Sequence, residues 1–133
     1  MNRTVLLIIM IGCFLSASAS LKINVTNIRV GKGSIFLEIF NSKAPFFKKP
    51  IVSKSVVASE STIEINFDLP EGEYAIAAYQ DLNNNKILDR GLFGMPKEPF
   101  AFSNNFRPLW SEPTFDDCKF IISKQSIITL KLK

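Results

Sequence analysis

The sequence predicts an all-β fold, an antiparallel seven-stranded sandwich with one long capping loop. Short segments in which apolar and polar residues alternate recur between Gly, Pro and Asn turns, and helical periodicity is almost absent. A single long segment, 81–117, interrupts this pattern before the last two strands. Short strands at this spacing are typical of a sandwich.

Each strand is predicted from its own alternation or apolar character. In the fourth strand, Ile63, Ile65, Phe67 and Leu69 are expected to face the core. The fifth strand is apolar on both faces, as expected of a central strand, and the third is placed at an edge. The Gly-rich turn 31–33 predicts a hairpin between the first two strands. The predicted strands are 21–30, 35–40, 51–58, 62–69, 74–80, 119–123 and 126–132.

The capping loop, residues 81–117, is predicted to fold down onto the sandwich. It carries too much apolar surface to remain in water, and loops of this length in compact domains are usually functional. We therefore expect function to concentrate in this segment. Its large apolar side chains are Leu92, Phe93, Met95, Phe100, Phe102, Phe106, Leu109, Trp110 and Phe115.

Residues 1–19 have the features of a secretory signal peptide. Arg3 supplies positive charge, residues 5–15 are almost continuously apolar, and residues 17–19 form a small-residue cleavage site. The apolar run is shorter than the ~20 residues that a membrane-spanning helix needs. We therefore expect residues 20–133 to form one exported domain, periplasmic or extracellular, without a transmembrane segment.

The two cysteines predict neither a lipid anchor nor a disulfide. Cys13 follows Ile11-Gly12, as in a lipoprotein signal, but Met10 fits that signal poorly. Cys118 stands alone in the mature chain, where it could be reactive or form an intermolecular bridge. Its apolar neighbourhood favours a small buried hydrophobe instead.

Composition excludes several classes of function. The chain has 16 Lys and Arg against 12 Asp and Glu, and the basic residues are scattered. Nucleic-acid binding requires a basic stripe or a recognisable module, and the sequence has neither. The chain has no histidine, which removes the commonest general base. We therefore expect a protein without enzymatic activity.

The start of the capping loop has the spacing of a calcium loop. Asp81, Asn83 and Asn85 place oxygen donors at the first, third and fifth positions, Ile87 offers its carbonyl at the seventh, and Asp89 stands at the ninth. Calcium is therefore a candidate ligand of this loop.

Two departures from that pattern predict weak binding. Lys86 occupies the sixth position, where such loops have glycine, and Leu92 the twelfth, where they have glutamate. An affinity of only ~0.1–1 mM is expected, unless Asp116 and Asp117 supply further ligands. The alternative is a network of Asx turns, in which the same side chains accept backbone N–H groups and no metal is needed.

Four sequence blocks follow one another in the capping loop. They are Asp81-x-Asn83-x-Asn85-x-x-Leu88-Asp89, Gly94-Met95-Pro96-x-Glu98, Phe102-Ser103-Asn104-Asn105 and Pro113-Thr114-Phe115-Asp116-Asp117. Together they resemble a family of small exported bacterial proteins, domain of unknown function 2141. The resemblance implies a transthyretin-like or immunoglobulin-like sandwich and an exported location, but no activity. Lys86 departs from the family's glycine, Phe100-Ala101 from Tyr-Gly, and Cys118 from alanine.

A second candidate site lies further along the capping loop. Between Phe102 and Phe106, the polar segment Ser103-Asn104-Asn105 could bind a sugar or a peptide between aromatic walls. Alternatively, Asn104 and Asn105 would occupy left-handed turns and have a structural role. The candidate ligand-binding residues are Phe102, Ser103, Asn104, Asn105, Trp110, Asp116 and Asp117.

The sequence thus predicts a binding or structural module at the cell envelope, with an unknown envelope or extracellular ligand. The rival hypothesis is a small hydrolase that uses paired carboxylates such as Asp116 and Asp117.

Overall fold

The computed structural model describes residues 17–42 and 45–133. Most of the predicted signal peptide, including Cys13, lies outside these residues. The described strands are β1 (Ser18–Thr26), β2 (Ser34–Asn41), β3 (Val52–Val57), β4 (Thr62–Pro70), β5 (Gly72–Asp81), β6 (Phe100–Phe102), β7 (Phe120–Ile122) and β8 (Gln125–Lys131). One short α-helix, α1 (Phe115–Cys118), precedes β7, and two 3₁₀ helices lie at Leu92–Gly94 and Ser103–Asn105.

The strands form two sheets, which confirms the predicted β-sandwich. The three-stranded sheet has the order β4-β1-β8, and the five-stranded sheet has the order β3-β2-β5-β6, with β7 also pairing with β5. All strand pairs are antiparallel except β1 with β8, which is parallel. The described residues contain eight strands rather than seven because the capping loop contributes β6.

The predicted hairpin between the first two strands is wrong. β1 ends at Thr26, Asn27 adopts a left-handed φ of 64°, and the chain crosses to the other sheet. The alternating side chains of β1 and β2 therefore meet across the sandwich instead of lying side by side. The buried core they share contains Leu21, Ile23, Val25, Ile35, Leu37 and Ile39.

The crossing between β1 and β2 is fixed against the end of β5. The buried Gln80 amide donates to the carbonyls of Arg29 and Lys32, at 2.8 and 2.6 Å, and accepts from the Arg29 N–H at 2.9 Å. Gly33 has a φ of 64°, and a Cβ there would lie 1.7 Å from the carbonyl oxygen of Asp81. Only glycine fits this position, and the contact sets where the capping loop begins.

The capping loop covers the outer face of the five-stranded sheet. β6 pairs with β5, so that Phe102 lies beside Ala77 and Phe100 beside Tyr79. A second apolar cluster forms on this face, separate from the core between the sheets. It contains Ala75, Phe102 and Cys118, with Phe46, Phe47, Ala77, Phe100, Phe106 and Phe115 packed against them.

Only part of the capping loop buries its apolar side chains, contrary to the sequence prediction. Phe100, Phe102, Phe106 and Phe115 pack as expected. The remaining large side chains stay exposed because they lie on two projecting stretches outside the paired strand and the helix. These exposed residues are Leu92, Phe93, Met95, Leu109 and Trp110.

Cys118 is fully buried in the outer-face cluster, as predicted. Among the residues that the structure describes, no helix is both long and apolar enough to cross a membrane.

Candidate functional site: a groove between two arms of the capping loop

Asp81 anchors the start of the capping loop through its own backbone. The side chain is completely buried at the end of β5. Its Oδ1 accepts the N–H of Asn85 at 3.2 Å, and its Oδ2 accepts the N–H of Lys86 at 2.7 Å. Both carboxylate oxygens therefore hold the turn that follows.

The asparagines and Asp89 close the same turn. The side-chain oxygens of Asn83 and Asn85 accept the N–H groups of Asn85 and Ile87, at 3.1 and 2.9 Å. Their amide nitrogens donate to the carboxylate of Asp89 at 2.6 to 3.1 Å. These contacts are the Asx-turn network that sequence analysis left open as the alternative to a metal site.

Glu98 completes this network, although sequence analysis did not select it. It is buried, its Oε1 accepts the N–H of Leu82 at 2.8 Å, and its Oε2 accepts the N–H of Asp89 at 3.0 Å. One carboxylate thereby joins the two ends of the turn. Its position in the Gly94–Glu98 block was the available signal.

The Asp89 carboxylate has the amide nitrogens of Asn83 and Asn85 as its partners, at 2.6 to 3.1 Å. Carboxylate and amide oxygens are the donors that calcium prefers, and those of Asp81 and Glu98 also accept backbone N–H groups. The described residues contain no group of three or more His, Cys, Asp or Glu side chains placed to hold a metal. Calcium binding at Asp81, Asn83, Asn85, Ile87 and Asp89 stays a prediction from the sequence.

Ser103, Asn104 and Asn105 fasten the capping loop to three other elements. The buried Ser103 hydroxyl accepts the N–H of Ile76 at 2.9 Å and donates to the carbonyl of Cys118. Asn104 donates to the carbonyl of Lys119 at 2.9 Å. Both asparagines adopt left-handed φ angles, 61° and 48°.

Asn105 reaches the opposite sheet. Its amide donates to the carbonyl of Thr129 at 3.0 Å and accepts the N–H of Lys131 at 3.0 Å. This pair satisfies two backbone groups on the free edge of β8. The segment 103–105 therefore has the structural role that was one of its two interpretations.

Asp116 and Asp117 serve α1 and its neighbours. Asp117 accepts from the backbone N–H and the hydroxyl of Thr114, both at 2.8 Å, in a capping box that lowers the pKa of its carboxyl. Asp116 forms an ion pair with Lys119 at 2.9 Å. Both carboxylates are thus engaged in local structure.

A groove of about 530 Å³ opens between two stretches of the capping loop, which we call the first arm (90–96) and the second arm (108–113). Phe93 on the first arm is 100% exposed and Trp110 on the second is 97% exposed. Met95 and Leu109 add further apolar surface to the two walls. Exposed apolar side chains concentrated around one concavity are typical of a binding site.

The floor of the groove is the outer face of the five-stranded sheet. Ala77 and Tyr79 of β5 lie beside Phe102 and Phe100 of β6. The ring of Tyr79 stacks on Phe36, with centroids 5.2 Å apart and planes at 9°. Burial, with the nearby carboxylates of Glu38, Asp81 and Glu98, raises the pKa of Tyr79 to about 12.

Glu38 places a single carboxylate on this floor. It lies on β2 directly beside Ala77 of β5 and Ser53 of β3. It is half-buried, and burial raises the pKa of its carboxyl. Among residues 17–42 and 45–133 it has no hydrogen-bond or ion-pair partner.

The two arms are joined by charged side chains at the mouth of the groove. Arg90 forms an ion pair with Glu112 at 3.3 Å and donates to the carbonyl of Gly94 at 3.0 Å. This contact bridges the first and second arms. Lys86 also lines the mouth and is exposed.

Of the residues predicted from the sequence, Phe102, Trp110 and Ile87 line the groove. The others hold the capping loop together instead. Sequence analysis missed Glu38 and Tyr79, which come from strands outside the capping loop. The available signal was the apolar character of both faces of the fifth strand, since a covered outer face implies that something rests on it.

Comparison with known proteins agrees with the resemblance seen in the four blocks. Residues 23–129 match the model of a family described as "Uncharacterized protein conserved in bacteria (DUF2141)". No curated protein and no solved structure matches the chain. The match covers most of the chain, which therefore belongs to this uncharacterized bacterial family.

Proposed function

We propose that this protein is an exported binding module of the bacterial cell envelope, and that the groove between the two arms is its ligand site. The observation that carries the proposal is the position of Phe93 and Trp110. Both are almost fully exposed, and they stand on opposite arms above an apolar floor. Leaving such side chains in water loses the free energy of their burial, which a bound ligand would recover.

The architecture supports this role because the arms are held by a rigid base. The turn 81–89 and the segment 103–105 are fixed by hydrogen bonds to strands of both sheets. A site on a fixed base loses little conformational entropy when a ligand binds.

We propose binding rather than catalysis for this site. The chain has no histidine, and the paired carboxylates of the hydrolase hypothesis, Asp116 and Asp117, are engaged by Lys119 and Thr114. Neither of them lines the groove. Glu112 at the mouth is paired with Arg90, which leaves Glu38 as the one carboxylate on the floor.

Export rests on the signal-peptide features of residues 1–19. Expression of the full chain in a bacterium, followed by fractionation and mass spectrometry, tests it. We expect a periplasmic or secreted form that begins at Ser20. A full-length cytoplasmic product would contradict export without affecting the groove.

The groove is tested with Nile red, a neutral dye whose emission rises in apolar sites. We expect the Phe93→Ala, Trp110→Ala double variant to bind the dye at least fivefold more weakly at unchanged thermal stability. Ile127→Ala is the matched control, because Ile127 is also a large exposed apolar residue but lies on β8, away from the groove.

A second variant distinguishes dye binding in the groove from non-specific binding to exposed apolar surface. Ala77→Phe fills the floor while it adds apolar area. We expect this variant to lose dye binding as well. Undiminished binding to Ala77→Phe, or an equal loss in Ile127→Ala, would refute the groove as the site.

A further inference from the structure

We infer that the ligand is a small organic cation, an ammonium or guanidinium group on an apolar body, bound with its charge beside Glu38. This inference rests on the proposed function of the groove. It adds the chemical class of the ligand, which is argued from the charges and rings that line the site.

The Glu38 carboxylate is partly withdrawn from water. It lies on a strand flanked by neighbours on both sides, is half-buried on the floor of the groove, and has no hydrogen-bond or ion-pair partner among the described residues. Carboxylates withdrawn from water are normally paired, because an unpaired desolvated charge is unfavourable. A cation entering the groove supplies the missing partner.

Aromatic side chains line the same groove as the Glu38 carboxylate. Tyr79 and Phe102 lie on the floor, and Trp110 and Phe93 stand on the walls. Ring faces attract cations, with Trp the strongest, and they also bury an apolar body. Rings beside a carboxylate therefore favour one class of ligand, a cation with hydrocarbon attached.

The other charges in the groove also favour a cation over an anion. Arg90 and Glu112 neutralise one another at 3.3 Å, which leaves Glu38 and Lys86 as the unpaired charges of the lining. Lys86 is exposed, so water already solvates it. An anionic ligand would gain little binding free energy from Lys86 and would be repelled by Glu38. A cation would gain more, because its partner would be the less hydrated Glu38 carboxylate.

Size favours a small molecule over a polymer. The groove encloses about 530 Å³, within the range of roughly 300–1,000 Å³ found for small-molecule sites. A single amine with one aromatic or aliphatic body fills such a volume.

The test uses three compounds that share a phenyl ring and a short chain: phenethylamine, phenethyl alcohol and hydrocinnamate. They present a cation, a neutral hydroxyl and an anion. Binding to the full mature chain is measured from amide chemical shifts by NMR. We expect the amine to bind about tenfold more tightly than the alcohol, and the anion to bind most weakly.

Two variants test whether the charge of Glu38 causes the preference for the amine over the alcohol. In Glu38→Gln we expect the amine to fall to the affinity of the alcohol, while the affinity of the alcohol itself is unchanged. Glu60→Gln removes an exposed carboxylate outside the groove and is expected to keep the full preference. The comparison of amine with alcohol in the unmodified protein needs no variant, so it decides the matter even if Glu38→Gln fails to fold.

The outcomes separate this inference from the proposed function. Equal binding of amine and alcohol, or a preference that persists in Glu38→Gln, overturns the cationic ligand but leaves the groove as a binding site. No binding by any of the three compounds overturns both.

Discussion

The capping loop has two parts that use their side chains in opposite ways. In the fixed part, formed by residues 81–89 and 98–106 with α1, polar side chains are hydrogen-bonded to the backbone and aromatic side chains are wholly or partly buried. In the two arms, the largest apolar side chains are exposed. Most of the polar residues that the sequence analysis selected as candidate ligands instead hold the capping loop in place. Several of the apolar side chains that were expected to pack onto the sandwich line the groove.

This contrast has a physical reason. The loop departs from regular strand pairing, so many of its backbone N–H groups lack a strand partner and must be satisfied by side chains. Asp, Asn, Ser and Glu serve that purpose at short range. Once the base is fixed in this way, the arms can hold apolar side chains apart from the core.

The largest expected effect concerns Cys118, which is buried within the fixed part. Burial, with a smaller contribution from the charge of Asp117, raises the pKa of its thiol from 9.0 to about 12. Because the thiolate is the reactive form, a pKa raised by this amount lowers reactivity at pH 8 roughly a thousandfold. Reaction with a thiol reagent in native buffer and in urea measures this, and rapid labelling of the folded protein would show that the fixed part opens.

The second prediction compares two aromatic residues of the capping loop. Phe102 is buried and lies 5.2 Å from the ring of Phe47, whereas Phe93 is fully exposed. Phe102→Ala should reduce the free energy of unfolding by roughly 3 kcal/mol or more, and Phe93→Ala by less than about 0.5 kcal/mol. Urea denaturation distinguishes them. Similar losses would mean that the arm is packed in solution and that the groove is closed.

Strands were predicted correctly where the alternation of apolar and polar residues reflects burial of one face of the strand. The strand around Ile63 and Ile65 was found because one face of it is buried, which imposes a period of two. The pairing of β1 with β4 and β8 was missed because partners in a sandwich are chosen by contacts remote in the chain. The Gly31–Gly33 turn says only that the chain turns there.

The site was harder to predict for a related reason. In the sequence of β2, Glu38 lies between Phe36 and Phe40, and the pattern indicates only a polar residue on the outer face of the strand. Its place in the groove depends on which face the capping loop covers. Likewise, the sequence from Asp81 to Asp89 suits a calcium ion and an Asx turn equally well, and the hydrogen bonds of the turn can be read only from the structure.

The third prediction compares two glutamates, one in each part. Glu98 accepts two backbone N–H groups, so Glu98→Ala leaves the N–H groups of Leu82 and Asp89 without partners. A loss of about 2 kcal/mol is expected. Glu112 forms an exposed ion pair, and Glu112→Ala should cost less than ~1 kcal/mol. Thermal unfolding of both variants measures the difference. A larger loss of stability in Glu112→Ala than in Glu98→Ala would mean that the arms, not residues 81–89, form the rigid base.

The fourth prediction concerns calcium at the turn 81–89. A site with an affinity of ~1 mM would stabilise the protein by about 1.4 kcal/mol at 10 mM calcium. Because the Asp89 carboxylate is already held by the amide nitrogens of Asn83 and Asn85, which an ion would have to displace, we expect no such gain. Melting temperatures in calcium and in magnesium at equal ionic strength decide this. A rise specific to calcium that disappears in Asp89→Asn would establish the ion site instead.

The last prediction concerns Lys86, within the same turn. Its φ of 63° lies in the left-handed region, which disfavours any side chain with a Cβ and where the family resemblance has glycine. Lys86→Gly should therefore raise the free energy of unfolding, by up to about 1 kcal/mol, because relief of this strain exceeds the greater chain entropy of glycine in the unfolded state. Leu88→Gly, at a neighbouring position without positive φ, is the matched control and should be destabilising. If Lys86→Gly were equally destabilising, the turn would not be held in this conformation in solution, and the rigid base of the groove would lose its main support.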